Sequence, residues 1–211
     1  MPAPAGAMAL GMSAPMGVSQ LLEIAILGLL NESPMHGYEL RKRLSGLLGT
    51  FRAFSYGSLY PTLRKLSEAG WTTEEEVTPT AGAGGRARRG KRVYMLTAEG
   101  KERLAELLSE VGPDAFDDEG FGARLAFFAQ TRSDIRMQIL EGRRRRVEEQ
   151  RDGMKSALAR TRERLDRYTL ELQEHGLESV DREVRWLNEL IENEKTSNTS
   201  TQRTTNPKED R

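Results

Sequence analysis

The basic residues in the first half of the chain are spaced as a surface for a polyanion requires. In residues 58–70, three leucines fall on one face at roughly 100° per residue, which predicts a short amphipathic helix. The residues on the opposite arc are Ser58, Pro61, Arg64 and Lys65, with Tyr60 at the N-terminal edge. A helix of this kind can enter the major groove of DNA and offer these side chains to bases and phosphates. The same arc is also compatible with a solvated charged face that binds nothing.

A second basic group follows in a glycine-rich segment, where five cations lie within seven residues. These are Arg86, Arg88, Arg89, Lys91 and Arg92. Strand-like residues at 71–77 and 92–96 flank the segment, so we expect a hairpin with a long tip. Each DNA phosphate that such a wing neutralises makes the slope of log K against log salt more negative by about 0.9. An unstructured basic loop without ordered contacts is the alternative interpretation.

The rest of the first half predicts the helices that hold these two groups. Residues 21–30 are apolar nearly all round, as in a buried helix, and residues 36–48 carry leucines at helical spacing. In the next helix Ser58 is the expected N-cap, so that Pro61 falls in the first turn, where a missing N–H breaks no intrahelical bond. Thr97 is expected to cap a fourth helix after the hairpin. Three helices, a hairpin and a fourth helix in this order predict a winged helix-turn-helix.

The second half of the chain is helical by its pattern. One long helix is predicted from residue 133 to about residue 174, followed by a turn at His175 and Gly176 and a final helix. Apolar residues at alternating spacings of four and three form a coiled-coil seam. The residues predicted to form the dimerisation surface are Met154, Leu158, Leu165, Tyr168, Leu172, Val184, Leu187 and Ile191. Such a seam closes either within one chain or between two chains, and we expect both contacts at once.

These patterns divide the chain into four parts. Residues 1–17 lack the pattern of any regular element and are predicted to be a disordered N-terminal extension. Residues 18–112 are expected to form the winged helix-turn-helix domain, and residues 113–195 a helical, coiled-coil dimerisation domain. Residues 196–211 contain no apolar residue except one proline, which predicts a disordered tail. The fold class is therefore mainly α with one small β-hairpin.

Composition excludes several classes of protein. The chain has 32 basic and 32 acidic residues, but residues 36–103 carry 13 basic against 7 acidic residues, a net charge of +6. A basic first half beside a balanced second half indicates a nucleic-acid module followed by a solvated helical one. Without cysteine, disulfides and thiolate metal sites are excluded. The longest apolar run is too short to span a membrane, and the N-terminus lacks the basic residues of a signal peptide. We therefore expect a cytoplasmic protein that binds no membrane.

An enzyme is not expected. His36 and His175 are far apart in sequence and have no obvious acid or nucleophile partner. No phosphate loop, dinucleotide fingerprint or metal-ligand spacing is present, so no cofactor, metal or catalytic residue is predicted. The four arginines at 143–146 stand among glutamates, which indicates a solvated, salt-bridged helix surface rather than a nucleic-acid patch.

Several motifs of the first half occur in the order and spacing of a known family. They are Met35-His36-Gly37-Tyr38-Glu39-Leu40, Gly57-Ser58-Leu59-Tyr60-Pro61, Leu63, Leu66 and Gly70, then Tyr94, Leu96-Thr97 and Gly100. Over residues 21–108 the chain therefore resembles the PadR-like transcriptional regulators. The resemblance implies a homodimeric repressor, of a kind that a small effector often releases from its operator. The wing tip is longer and more basic than is usual in that family, and the N-terminal extension is additional.

The predicted function is that of a sequence-specific DNA-binding regulator of transcription, a homodimeric repressor on an inverted-repeat operator. Its predicted partners are double-stranded DNA, a second copy of the chain and a small-molecule effector of unknown identity. An effector pocket would lie where the two halves meet, near Phe127, Phe128 or Trp186, although these aromatic residues also suit simple core packing. The alternative function is an interaction protein, or antirepressor, that acts through the C-terminal helices.

Overall fold

The computed structural model describes residues 18–48, 57–77 and 91–205. The predicted N-terminal extension and the wing tip at residues 78–90 lie outside the described residues. Arg86, Arg88 and Arg89, which are predicted to contact DNA, belong to that part of the wing.

The first half folds into helices around a small antiparallel sheet. The elements are α1 (Val18–Glu32), β1 (Met35–His36), α2 (Gly37–Leu48), α3 (Leu59–Glu68), β2 (Thr72–Val77), β3 (Lys91–Leu96) and α4 (Ala98–Ser109). The strands lie in the order β1-β3-β2. The sequence predicts the β2–β3 hairpin but not β1, because two residues are too few to show an alternating pattern. The order of the elements confirms the predicted winged helix-turn-helix.

Helix α1 lies at the centre of the first core. Ile24, Ala25, Ile26 and Leu27 are all fully buried, so consecutive faces of the helix are covered, as its apolar sequence predicts. Helices α2, α3 and α4 each add leucines to the same core. This burial fixes the orientation of α3, and with it the residues that point outwards.

The ends of α3 and α4 are set by local backbone chemistry. Gly70 follows α3 with a φ of +77°, a conformation that residues with a side chain rarely adopt. The Thr97 hydroxyl accepts a hydrogen bond from the Gly100 N–H at 2.9 Å and donates one to the Gly70 carbonyl at 2.8 Å. Thr97 therefore caps α4, as predicted, and also ties the start of α4 to the end of α3.

The second half is a long helical hairpin preceded by a short helix. Its helices are α5 (Asp118–Leu125), α6 (Ser133–Thr161) and α7 (Arg167–Thr205), with short 3-10 turns at Pro113–Phe116, Phe128–Gln130 and Arg162–Arg164. Helices α6 and α7 run antiparallel, since ion pairs join Arg136 to Glu194 near one end and Arg162 to Glu174 near the other. Aliphatic and aromatic side chains of α5, α6 and α7 form a second core.

The turn between α6 and α7 lies earlier than the sequence pattern predicts. The prediction of one helix from 133 to about 174 is wrong, because the chain leaves the helix after Thr161 and begins α7 at Arg167. His175 and Gly176, the predicted turn residues, lie inside α7. Gly176 does not end the helix, because a single glycine inside a helix costs only about 1 kcal/mol.

Asp166 fixes the start of α7. Its Oδ1 atom accepts hydrogen bonds from the N–H groups of Tyr168 and Thr169 at 2.9 and 3.1 Å. The Thr169 hydroxyl and these N–H groups lower the pKa of the Asp166 carboxyl below its ordinary value. An aspartate that caps a helix in this way is a stronger local signal than an isolated glycine.

The turn divides the predicted coiled-coil seam between two helices of one chain. Met154 of α6 faces Gly176 of α7, where an added Cβ would lie 3.3 Å from the Met154 Cε atom. Val184, Leu187 and Ile191 are buried in the second core. These three side chains are therefore covered within one chain, and their contact with a second chain stays a prediction.

Helix α7 continues into the segment for which the sequence predicts disorder. Residues 196–205 are helical and contain neither glycine nor proline. The Thr196 hydroxyl donates a hydrogen bond to the Glu192 carbonyl at 2.9 Å along the same helix. The first helix breaker is Pro207, and helices usually end at or before the residue that precedes a proline. A lack of apolar residues therefore excludes burial of this segment but not helix formation.

The two cores do not separate at the predicted domain boundary after residue 112. Ala123 and Phe127 come from the second half of the chain but are buried in the first core. A Cβ added at Gly28 of α1 would lie 2.4 Å from the Phe127 ring, so this glycine leaves the space that the ring fills. Residue 112 therefore separates two sets of helices and strands, but the first core contains residues from both sides of it.

Candidate nucleic-acid interface

The outer arc of α3 points away from the core. The three leucines expected to face inwards are buried. Tyr60, Pro61, Arg64 and Lys65 are exposed, and Ser58 is half-buried at the N-cap, where it makes no side-chain capping bond. The two-faced character of the helix is therefore confirmed, while contact of the arc with DNA stays a prediction.

Arg64 and Lys65 are the cations of this arc. Within the ranges that the structure describes, neither side chain forms an ion pair or a hydrogen bond. Arg43 on the neighbouring helix differs, since its Nη1 atom lies 2.9 Å from a carboxylate oxygen of Glu32. A cation without a partner in the protein breaks no internal contact when it binds a phosphate or a base edge.

The base of the wing is more acidic than its tip. Strand β2 carries Glu74, Glu75 and Glu76. Arg92 of β3 donates hydrogen bonds to both carboxylate oxygens of Glu74, at 2.9 and 3.0 Å, and this hydrogen-bonded carboxylate raises the pKa of Arg92. A phosphate contact by Arg92, as the sequence predicts, would have to compete with this pair. Lys91 is the first residue of β3, and its side chain lies outside the described part.

A cavity of about 1170 Å³ lies between the start of α2, the start of α3 and the sheet. The side chains that decide its chemistry are Tyr38, Lys42, Tyr60, Glu76, Arg92 and Tyr94. Tyr60 and Arg92 also belong to the predicted DNA-contacting set, so the cavity adjoins that surface. The sequence analysis did not single out Tyr38 and Lys42 as site residues. A tyrosine that follows a glycine at the start of a helix is the sequence signal that could have identified Tyr38.

The aromatic residues predicted to line an effector pocket do not come together. Phe127 is buried in the first core, whereas Phe128 packs against the second. Trp186 contacts the edge of the Phe121 ring, with the ring centroids 6.1 Å apart. These contacts support the alternative interpretation, that the three aromatic residues serve core packing.

The described residues form neither a metal cluster nor a membrane-spanning helix. In residues 18–48, 57–77 and 91–205, no group of three or more metal-binding side chains has a geometry that could hold an ion. In the same ranges no helix is both long and apolar enough to cross a membrane.

The family match covers the part of the chain that contains this surface. The model of the transcriptional regulator PadR-like family matches residues 26–106. Among curated proteins, the chain is similar to the negative transcriptional regulator PadR of Bacillus subtilis (strain 168), with 33% identity over 89 residues. That alignment covers 42% of this chain and 46% of the relative, so the chain spans about half the length of the curated relative that it matches.

The chain is also similar to solved structures. One is the crystal structure of Bacillus subtilis PadR in complex with operator DNA, with 20% identity, a TM-score of 0.39 and coverage of 82% of this chain and 99% of that chain. Another is smu.1604c from Streptococcus mutans UA159, with 29% identity, a TM-score of 0.39 and coverage of 80% and 97%. The fold and the surface described above rest on the residues of this chain and not on these likenesses.

Proposed function

Residues 26–106 of this chain are a domain of the PadR-like family, and on this premise we propose that the protein regulates transcription by binding double-stranded DNA through the outer arc of α3. The observation that carries the proposal is the arc itself. Arg64 and Lys65 are exposed and make no ion pair with the described residues, above a leucine face that fixes the helix. A basic arc on a helix placed between another helix and a wing is the arrangement that reads the major groove.

The role of each residue follows from its place on α3. The first N–H groups of the helix have no intrahelical partner and suit a phosphate oxygen, with the hydroxyls of Ser58 and Tyr60 beside them. Arg64 lies further along the exposed face, where its guanidinium can meet the O6 and N7 acceptors of a guanine. Lys65 supplies a point charge for a phosphate. This division assigns recognition to Arg64 and orientation to the other groups.

We infer that binding represses transcription. The curated relative is named a negative transcriptional regulator, and a protein that covers a promoter excludes RNA polymerase from it. Release by a small-molecule effector of unknown identity is part of the proposal, and an identified operator would allow effectors to be screened.

The regulator is proposed to act as a homodimer. Two copies related by a two-fold axis place two α3 helices on the half-sites of an inverted repeat. Tyr168 and Leu172 near the tip of the hairpin are 84% and 67% exposed, and Leu158 and Leu165 are half-buried. These four residues remain available to a second chain, and large exposed apolar side chains close together favour an interaction surface.

Specific DNA binding is the first prediction to test. A duplex is selected from genomic fragments and compared with a random duplex of equal length across a salt series. We expect preference for the selected duplex, and we expect the variant Arg64→Gln/Lys65→Gln to bind it about 10- to 100-fold more weakly, because one base contact and one phosphate contact are lost. Arg145→Gln, an exposed arginine on α6, is the matched control and should bind as the wild type does. Equal affinity for both duplexes would contradict a specific regulator, and no binding would favour the interaction protein.

Dimerisation is the second prediction. The variant Tyr168→Glu/Leu172→Glu places charges at the exposed tip of the hairpin. It should raise the dimer dissociation constant about 10- to 100-fold, because the dimer no longer buries the apolar surface of these two side chains. Sedimentation velocity at micromolar protein measures the shift, and Glu171→Gln, exposed between the two positions, is the control. A wild-type protein that sediments as a monomer under these conditions would refute the dimer.

A further inference from the structure

Arg92 lies at the base of the wing, on the side that adjoins the outer arc of α3. Its side chain and that of Tyr60 line the same cavity, and Tyr60 is exposed at the start of α3. The backbone of Arg92 is paired with that of Glu76 in the sheet, and its carbonyl oxygen lies 3.3 Å from the His36 Nδ1 atom. The side chain of Arg92 is 60% exposed. The sheet therefore fixes the backbone of Arg92 and leaves its side chain in solvent, next to the surface proposed to bind DNA.

Two carboxylates of β2 flank this arginine on the same face of the sheet. Side chains alternate between the two faces along a strand, and Arg92 is paired with Glu76 in the ladder, so Glu74 and Glu76 share its face. The Arg92 Nη1 atom donates hydrogen bonds to both carboxylate oxygens of Glu74, at 2.9 and 3.0 Å. These three side chains, two carboxylates and one guanidinium, carry a net charge of −1. The face of the wing base that adjoins α3 is therefore acidic although it contains an arginine.

The Glu74 pair neutralises a cation in a place where cations raise the affinity for DNA. An arginine that binds a phosphate releases condensed counterions, and this release is the source of much of the affinity. The Glu74 carboxylate cancels the charge of Arg92, and a phosphate that approached the guanidinium would also be repelled by Glu76. Glu74 is 41% exposed, and ion pairs between exposed side chains add little to stability. Stability therefore does not account for a carboxylate at position 74.

We propose that Glu74 limits the affinity of the protein for DNA by holding Arg92 in an ion pair, away from the phosphates. The inference rests on the proposed function, since it requires that α3 and the wing meet the duplex. Glu74 acts through Arg92 and is therefore a positioning residue. Because phosphate contacts carry no sequence information, release of Arg92 tightens binding to every duplex by the same factor. The carboxylate thus sets how tightly the protein holds DNA and leaves the choice of sequence to α3.

The variant Glu74→Thr removes the carboxylate and places a residue that suits a strand. At about 150 mM salt it should bind the selected and the random duplex about 3- to 10-fold more tightly than the wild type, because the released Arg92 gains a phosphate contact. The slope of log K against log salt should become more negative by about 0.9. Fluorescence anisotropy of labelled duplexes over a salt series measures both quantities. The urea midpoint of unfolding should equal that of the wild type, since the exchanged side chain is exposed.

Two controls separate the release of Arg92 from the loss of a negative charge. Glu75→Thr makes the same charge change on the opposite face of β2. It should tighten binding by no more than about 2-fold, because the charge it removes is exposed and screened by salt, and it should leave the salt slope unchanged. In the Arg92→Gln background, Glu74→Thr should also leave the slope unchanged, because no arginine remains to be released. This double-mutant cycle measures the coupling between the two residues.

The outcomes distinguish this inference from the proposed function. If Glu74→Thr binds no more tightly than the wild type while Arg64→Gln/Lys65→Gln still binds weakly, the restraint by Glu74 is overturned and the regulator stands. Equal gains from Glu74→Thr and Glu75→Thr would show that net charge alone acts, and would also overturn the restraint. The same holds for a steeper slope that persists in the Arg92→Gln background. If neither the wild type nor Glu74→Thr binds DNA, both the inference and the proposed function are overturned.

Discussion

Replacing Phe127 by alanine is expected to lower the free energy of unfolding by about 3 to 5 kcal/mol. The side chain is 1% exposed in the first core. Its ring fills the space over Gly28, where an added Cβ would be only 2.4 Å away. Removal of the ring leaves a void between α1 and the segment after α5, and two helices held by many other contacts can close such a void only in part.

Urea denaturation followed by far-ultraviolet circular dichroism measures this loss. Lys101→Ala is the control, since that side chain is exposed on α4 and its removal should change the free energy of unfolding by no more than about 0.5 kcal/mol. A loss below about 1 kcal/mol for Phe127→Ala would mean that the first half is stable without the segment after residue 112.

The position of Phe127 matters because it lies outside the segment that matches the family, residues 26–106. Phe127 packs in the first core and the next residue, Phe128, against the second. Arg124 adds a polar tie, since its Nη1 atom donates a hydrogen bond to the Leu107 carbonyl of α4 at 3.2 Å. Burial lowers the pKa of this guanidinium. The first half therefore depends on contacts with α5 and the segment that follows it, and Phe128 connects that segment to the second core.

The parts of the fold that sequence predicts well are those that depend on local spacing. Helix α1 is apolar nearly all round, and α3 has leucines on one face with a proline in its first turn, so both can be predicted without any knowledge of the partner elements. The same holds for the Thr97 cap. The outer arc of α3 follows directly, because burial of one face determines which residues are on the other.

The parts that sequence predicts poorly depend on the partner that a face finds. Apolar spacing on α7 shows that Val184 and Leu187 are covered, but it does not show whether α6 of the same chain or another chain covers them. The cavity was missed for a related reason. Tyr38 and Tyr94 are more than fifty residues apart, and the pairing of β1 with β3 brings their neighbourhoods together.

The arginines at 143–146 show the same limit in a charged segment. Their sequence predicts a solvated, salt-bridged surface, and exposed Arg145 and Arg146 fit that prediction. Arg143 does not, since its side chain is 7% exposed. It lies between three elements that are far apart in sequence, and only their packing shows which of the four arginines is buried.

Replacing Arg143 by alanine is therefore the second change with a large expected effect, a loss of about 3 to 5 kcal/mol in the free energy of unfolding. The guanidinium donates to Glu183 Oε1 at 2.5 and 2.8 Å and to the Phe116 carbonyl at 2.8 Å. It also lies 2.7 Å from Asp118 Oδ1 and 5.4 Å from the centre of the Phe121 ring. Alanine removes all of these contacts at once and leaves the carbonyl without its donor.

The double variant Arg143→Met/Glu183→Leu decides whether the charges or the packed volume stabilise the hairpin. Apolar side chains of similar size avoid the desolvation of a buried ion pair, so the double variant should unfold within about 1 kcal/mol of the wild type. Arg145→Ala, from the same run but exposed, should change stability by no more than about 0.5 kcal/mol. If the double variant is as unstable as Arg143→Ala, the hydrogen bonds of the guanidinium are what the hairpin requires, and filling the volume does not replace them. If the free energy of unfolding of the double variant is near that of the wild type, Arg143 stabilises the hairpin mainly by filling the space between α5, α6 and α7. Its charge then determines that it pairs with Glu183 but adds little stability.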